Sequence, residues 1–183
     1  MELSDLEAQL EREEQFFEEW NDWGRVERGL MAAIEQVLAY DAALLEDGTG
    51  ERSIAHRLAV YLEREFDGWH VDCEFNRQGE QSKRVTKRVA QALPDLPESR
   101  DGQGTADVTP DIIVHWRRKT RNLLAIEVKP SDSKEIPKDR AKLQQYLSEP
   151  HLKYAFAVLV TYRNGRAEFL PIERIPDAKR GDS

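Results

Sequence analysis

The sequence predicts an α/β fold, a central mixed sheet with helices on its faces. Three observations predict it. Residues 112–114, 123–128 and 154–162 are apolar runs of strand length, whereas 51–66 and 138–147 repeat their apolar residues at helical steps. From residue 51 the order is helix, three strands, helix, strand, strand. The helix between the third and fourth strands is a crossover, which allows those two strands to run parallel.

Each element has its own signal. Leu3, Leu6, Leu10, Phe17 and Trp20 recur at helical steps among glutamates, and Asn21-Asp22-Trp23-Gly24 breaks the pattern. Leu30, Ile34, Val37, Leu38 and Leu45 predict a second helix over Val26 to Leu45, followed by the turn Asp47-Gly48-Thr49-Gly50. Glu51 to Phe66 is a helix facing the core with Ile54, Leu58, Tyr61, Leu62 and Phe66, closed by Asp67-Gly68. His70 to Asn76 alternates as a strand, with Val71, Cys73 and Phe75 expected in the core. A long polar stretch runs from Arg77 to Thr109, in which Val85 to Leu93 reads as a short helix. Strands follow at Asp111 to Trp116 and Leu123 to Val128, then a helix at Lys138 to Leu147 between Pro137 and Pro150. Tyr154 to Tyr162 is apolar enough to be buried on both faces, and Asn164-Gly165 turns the chain into an edge strand at Ala167 to Ile172.

The chain of 183 residues carries a formal charge of −8, unevenly spread. Residues 1–50 hold 14 acidic and 3 basic side chains, against 21 and 24 in residues 51–183. This division suggests an acidic helical extension over 1–50 and a mildly basic domain over 51–183 whose charge permits a polyanionic partner. A single cysteine, Cys73, excludes an internal disulfide and a cysteine metal site. No apolar run approaches a membrane span and the acidic start does not resemble a signal peptide, so a cytoplasmic protein with no membrane partner is expected.

The chemistry concentrates in two strands. Pro110-Asp111 opens the first, and Glu127-Val128-Lys129 closes the second, with the acids 16 positions apart. Period-two geometry places Glu127 and Lys129 on one face. If the strands form a hairpin, Asp111 lies beside Glu127. Two close carboxylates repel unless one is protonated or a cation binds, and Mg²⁺, with Mn²⁺ as substitute, takes oxygen ligands of this kind. The carbonyl of Val128 is a candidate third ligand. Lys129 can orient or deprotonate a water, or stabilise charge on a phosphate. The bland alternative is a surface ion pair of Glu127 with Lys129 and a turn role for Asp111.

These residues resemble the PD-(D/E)XK, or restriction-endonuclease-like, nuclease superfamily over residues 51–162, and the run from PDIIVH to NLLAIEVKP is similar to uncharacterised bacterial single-domain members. The resemblance implies a restriction-endonuclease-like core, α-β-β-β-α-β, and Mg²⁺-dependent hydrolysis of DNA or, less often, RNA. It implies that Asp111 and Glu127 hold the metal and Lys129 assists the water. Glu51 looks like the further acid that many members place near the metal; alternatively it is a helix N-terminal acid favoured by the dipole. The last core helix departs from the Gln-x-x-x-Tyr pattern of exonuclease-like members, because Lys142 stands four residues before Tyr146. Lys142 either reaches a substrate phosphate or lies on a solvated face, and Gln144 or Gln145 is a candidate to support a ligand.

Basic clusters at Lys83, Arg84, Lys87 and Arg88, and at Arg117, Arg118, Lys119 and Arg121, are either phosphate contacts or solvated surface. Arg77, after Asn76, is a further candidate for phosphate. The four histidines, His56, His70, His115 and His151, show no metal-ligand spacing and read as structural. The acidic helices read as a cap on the core or on a second copy, the aromatics Phe16, Phe17, Trp20 and Trp23 allowing a homodimer; the alternative is an arm that competes with nucleic acid. A different functional class, a non-catalytic nucleic-acid- or protein-binding module on the same fold, is the competing expectation.

Overall fold

The computed structural model describes residues 3–46, 50–74, 77–78, 81–82, 84–85, 106–107, 109–117, 119, 121–149, 152 and 154–172. The helices are α1 (Leu3–Trp20), α2 (Trp23–Tyr40), α3 (Ala42–Glu46), α4 (Glu51–Glu65) and α5 (Ile136–Ser148). The strands of the main sheet are β1 (His70–Cys73), β6 (Ile112–His115), β7 (Asn122–Pro130), β8 (Tyr154–Arg163) and β9 (Arg166–Pro171). Between β1 and β6 lie two-residue strands, β2 (Arg77–Gln78) paired with β3 (Gln81–Ser82), and β4 (Arg84–Val85) paired with β5 (Ala106–Asp107).

The five-stranded sheet has the order β1-β6-β7-β8-β9. All neighbours are antiparallel except β7 and β8, which run parallel with α5 as their crossover, as the chain order predicts. Alternation divides the side chains between two apolar layers. Ile112, Val114, Leu124, Ile126, Val128, Val158 and Val160 pack against Leu30 of α2 and Ile54, Leu58 and Leu62 of α4. Ile113, Ala125, Ala157 and Leu159 face the other way, onto Leu143, Tyr146 and Leu147 of α5.

Residues of α1 and α2 join the first layer. Trp20 is buried and stacks on Phe66 at 5.1 Å, while Phe16 stacks on Trp116 and Trp116 on Trp69, each at 5.3 Å. Phe17 lies 5.9 Å from Trp69, and Trp23 packs on Phe156. The aromatics of the acidic segment thus pack against their own chain. Its glutamates also reach the β6–β7 hairpin, where Glu13 pairs with Lys119 at 2.9 Å and Glu14 with Arg121 at 2.6 Å.

Three element boundaries differ from expectation. The helix expected over Val26 to Leu45 is two, because the Asp41 side chain turns away to accept from Tyr61 Oη at 2.5 Å and Arg57 Nε at 2.9 Å. The first strand stops at Cys73, since Glu74 takes a left-handed conformation, φ 48°. Cys73 is an exposed residue, not a core one, although its sulfur rests 4.0 Å from the Ala55 carbonyl and desolvation pushes its thiol up to about 11. Of the short helix expected over Val85 to Leu93, Val85 belongs to β4 and the rest lies outside the described residues.

Gly68 shows how tightly the aromatic layer is closed. Its φ is +82°, and a Cβ there would stand 2.7 Å from Phe16 Cζ. Gly68→Ala is expected to lower stability by about 1–3 kcal/mol, through backbone strain and overpacking, in a denaturant titration. Among the described residues no helix is long and apolar enough to cross a membrane.

Candidate active site

Glu127 is held by the middle of the sheet. It lies in β7, flanked by β6 and β8, and is 1% exposed. The antiparallel register pairs Ile112 with Ile126, so Asp111 comes level with Glu127 just beyond the ladder. Asp111 is fixed there by the main chain, since the Val128 N–H donates to its Oδ2 at 2.7 Å. Lys129 follows on the same face of β7, with Thr161 of β8 as its register neighbour. Asp111, Glu127 and Lys129 therefore meet at one end of the α5-facing side of the sheet.

The two helices complete the group. Lys129 Nζ donates to Glu51, the first residue of α4, and lies 4.0 Å from Asp139 Oδ2 in the first turn of α5. Lys142, one turn along α5, places its ammonium 2.6 Å from Glu127 Oε1 and donates to the Thr109 carbonyl at 2.8 Å. Its side chain is 15% exposed, which excludes the solvated-face alternative. Glu51 stands in the first turn of α4, as its helix-terminal reading has it, and also accepts from Lys129.

Asp139 escaped the sequence reading. It is buried beside Lys129, on a helix whose other buried residues are Leu143, Tyr146 and Leu147. The readable signal is a carboxylate at helical spacing from that apolar stripe: Asp139, Leu143 and Tyr146 recur at steps of four and three.

Burial governs the electrostatics. Glu127 is pushed up to about 8 by desolvation, with the carboxylates of Asp111 and Asp139 adding to the rise and Lys142 opposing it. Asp139 is raised for the same first reason. Lys129 is raised: desolvation works against its charge, but its hydrogen bond to Glu51 and the fields of Asp111 and Asp139 outweigh that. Lys129 is thus a persistent cation, suited to donating hydrogen bonds to an anion and not to accepting a proton.

The donor set matches a hard divalent ion in kind. Asp111 and Glu127 supply two carboxylates and Val128 a carbonyl, and the Lys142 ammonium already sits against Glu127 as a cation. Among the described residues no three or more His, Cys, Asp or Glu side chains are grouped to hold a metal. An ion here would rest on the two carboxylates, the carbonyl and water, a pattern that Mg²⁺ accepts.

Arg117 follows the other end of β6 from Asp111 and is held by Asp72, from Nε at 2.9 Å and Nη2 at 2.5 Å. Asp72 also meets buried His115 Nε2 at 2.8 Å, in keeping with a structural histidine. The Arg117 guanidinium holds the Asp72 carboxyl below the usual range against partial burial, with His115 assisting. Arg77 and Arg84 fall in β2 and β4. Asn76, Lys83, Lys87, Arg88, Arg118 and His151 lie outside the described residues. At the β8–β9 hairpin, a cleft of about 420 Å³ has Ser131, Thr161, Arg163, Arg166 and Glu168 among its lining residues.

No family model matches the chain, and no curated protein is significantly similar to it. The solved crystal structure of SSO0001 is similar over 83% of this chain and 79% of its own length, with 18% identity and a TM-score of 0.32.

Proposed function

We propose that the chain is a Mg²⁺-dependent nuclease, hydrolysing phosphodiester bonds of nucleic acid, with DNA ranked ahead of RNA by the family resemblance alone, on a restriction-endonuclease-like core. The carrying observation is the convergence of Asp111, Glu127 and Lys129 at one end of the sheet, with Val128 N–H fixing Asp111. The order of the main-sheet elements and their helices, α4, β1, β6, β7, α5, β8, supports the core assignment.

A Mg²⁺ ion held by Asp111, Glu127 and the Val128 carbonyl would supply Lewis-acid polarisation and an activated water. The chain's own residues do the rest. The Val128 N–H keeps one oxygen of Asp111 engaged and turns the other free to bind. Burial of Glu127 strengthens whatever cation it meets. Lys129, held between Glu51 and Asp139, aims a permanent positive charge at the phosphate and stabilises the negative charge that grows on it during in-line attack. Glu51 acts through Lys129, as a positioning residue.

The test is cleavage of single-stranded DNA, duplex DNA and RNA with Mg²⁺, Mn²⁺ or EDTA. Metal-dependent products are expected, reduced by about 10²-fold in Lys129→Met for loss of one transition-state donor. Metal-independent binding without products would replace this reading by the non-catalytic binding module.

A further inference from the structure

Lys142 occupies the place that a cation bound to Glu127 would take. Its ammonium is 2.6 Å from Glu127 Oε1, with a second anchor at the Thr109 carbonyl, 2.8 Å away. Both side chains are withdrawn from solvent, Lys142 at 15% and Glu127 at 1% exposure. Water can therefore do little to shield a second positive charge brought to the same carboxylate. A divalent ion closing on Glu127 at bonding distance would face this ammonium directly, and the two would repel.

We propose that Lys142 is an internal competitor for the metal. It lies against Glu127 in the metal-free protein, tied also to the Thr109 carbonyl, and must leave Glu127 for a divalent ion to bind. Lys142 thereby sets the metal affinity of the site, trading tight binding for a fold that is stable without the ion. The inference rests on the reading of Asp111 and Glu127 as the metal-holding pair. It gives Lys142 a role distinct from the substrate-phosphate contact that the sequence suggests.

Binding of Mn²⁺ at pH 8, read from loss of the free-ion paramagnetic resonance signal, tests it. Lys142→Gln keeps a donor for Thr109 and removes the charge; it is expected to tighten the Kd by about tenfold or more. Lys142→Arg, which keeps the charge, is not expected to tighten it. Without metal, Lys142→Gln should melt several degrees lower, because Glu127 and the Thr109 carbonyl lose the buried ammonium that lies against both, and saturating Mn²⁺ should restore it. Equal or weaker Mn²⁺ binding by Lys142→Gln overturns the inference, since Lys142 would then be organising the carboxylates for the ion. A readout in the native chain is independent of the variant's folding. The ¹⁵N-labelled ammonium of Lys142, protected by Glu127 and Thr109, should lose its resonance on Mg²⁺ addition, and its persistence at saturation would equally overturn the inference. Asp111→Asn separates the two levels of the account. If it titrates Mn²⁺ like the native chain, the metal-pair reading itself fails; if it weakens binding while Lys142→Gln changes nothing, only the competitor role fails.

Discussion

Asp111→Asn is expected to reduce Mg²⁺-dependent phosphodiester hydrolysis by about 10³-fold while moving folding stability by less than about 1 kcal/mol. The asymmetry follows from what the substitution keeps. Asparagine has the same shape, and its side-chain carbonyl can still accept from the Val128 N–H as Asp111 Oδ2 does at 2.7 Å. The main chain therefore stays in place. What disappears is one of the two negative charges that would hold the ion, and with it the ability to neutralise charge in the transition state. A second effect accompanies the first. Asp111 contributes to the raised proton affinity of Glu127, so its neutral analogue should let Glu127 ionise at lower pH. Activity against pH and melting against pH would check both halves. A variant that kept activity would remove Asp111 from the site.

Glu127→Gln separates activity from stability more sharply. Hydrolysis should again fall by about 10³-fold, for loss of the buried carboxylate. The pH dependence of folding should change as well. In the native chain Glu127 is pushed up to about 8, whereas in the unfolded chain it titrates near its ordinary value of 4.5. Between those limits the folded state keeps a proton that the unfolded state has released. Raising the pH from about 4.5 to about 8 therefore destabilises the metal-free protein, by a few kcal/mol in all. Below 4.5 both states hold the proton, and above about 8 neither does, so the dependence levels off at each end. Glu127→Gln removes most of this slope; Asp139, raised by burial too, leaves a residue of it. Mg²⁺ should recover stability at pH 8.5 in the native chain and not in Glu127→Gln. Denaturant melts across pH 4 to 9, with and without Mg²⁺, measure all of this.

Much of the architecture was legible because the sheet is so apolar. The alternation that puts Leu124, Ile126 and Val128 on one side and Ala125, Glu127 and Lys129 on the other follows from strand geometry alone. The parallel pairing of β7 and β8 follows from the helix between them. What stayed hidden depends on approach across the fold. Lys142 looks like any surface lysine until α5 is laid over Glu127. Asp139 looks like an ordinary acid in the first turn of a helix, and only its burial beside Lys129 distinguishes it. Arg117 belongs to a basic run in the sequence, yet the β1–β6 register brings Asp72 against it. Boundaries were lost where a single side chain intervened, as Asp41 does between α2 and α3.

A crystal of the protein soaked in Mn²⁺ and measured at the manganese absorption edge addresses the metal centre itself. An anomalous peak is expected between the Asp111 and Glu127 carboxylates, within bonding distance of the Val128 carbonyl, with the Lys142 ammonium moved off Glu127. A map at saturating Mn²⁺ with no peak there, and Lys142 still seated on Glu127, would contradict it.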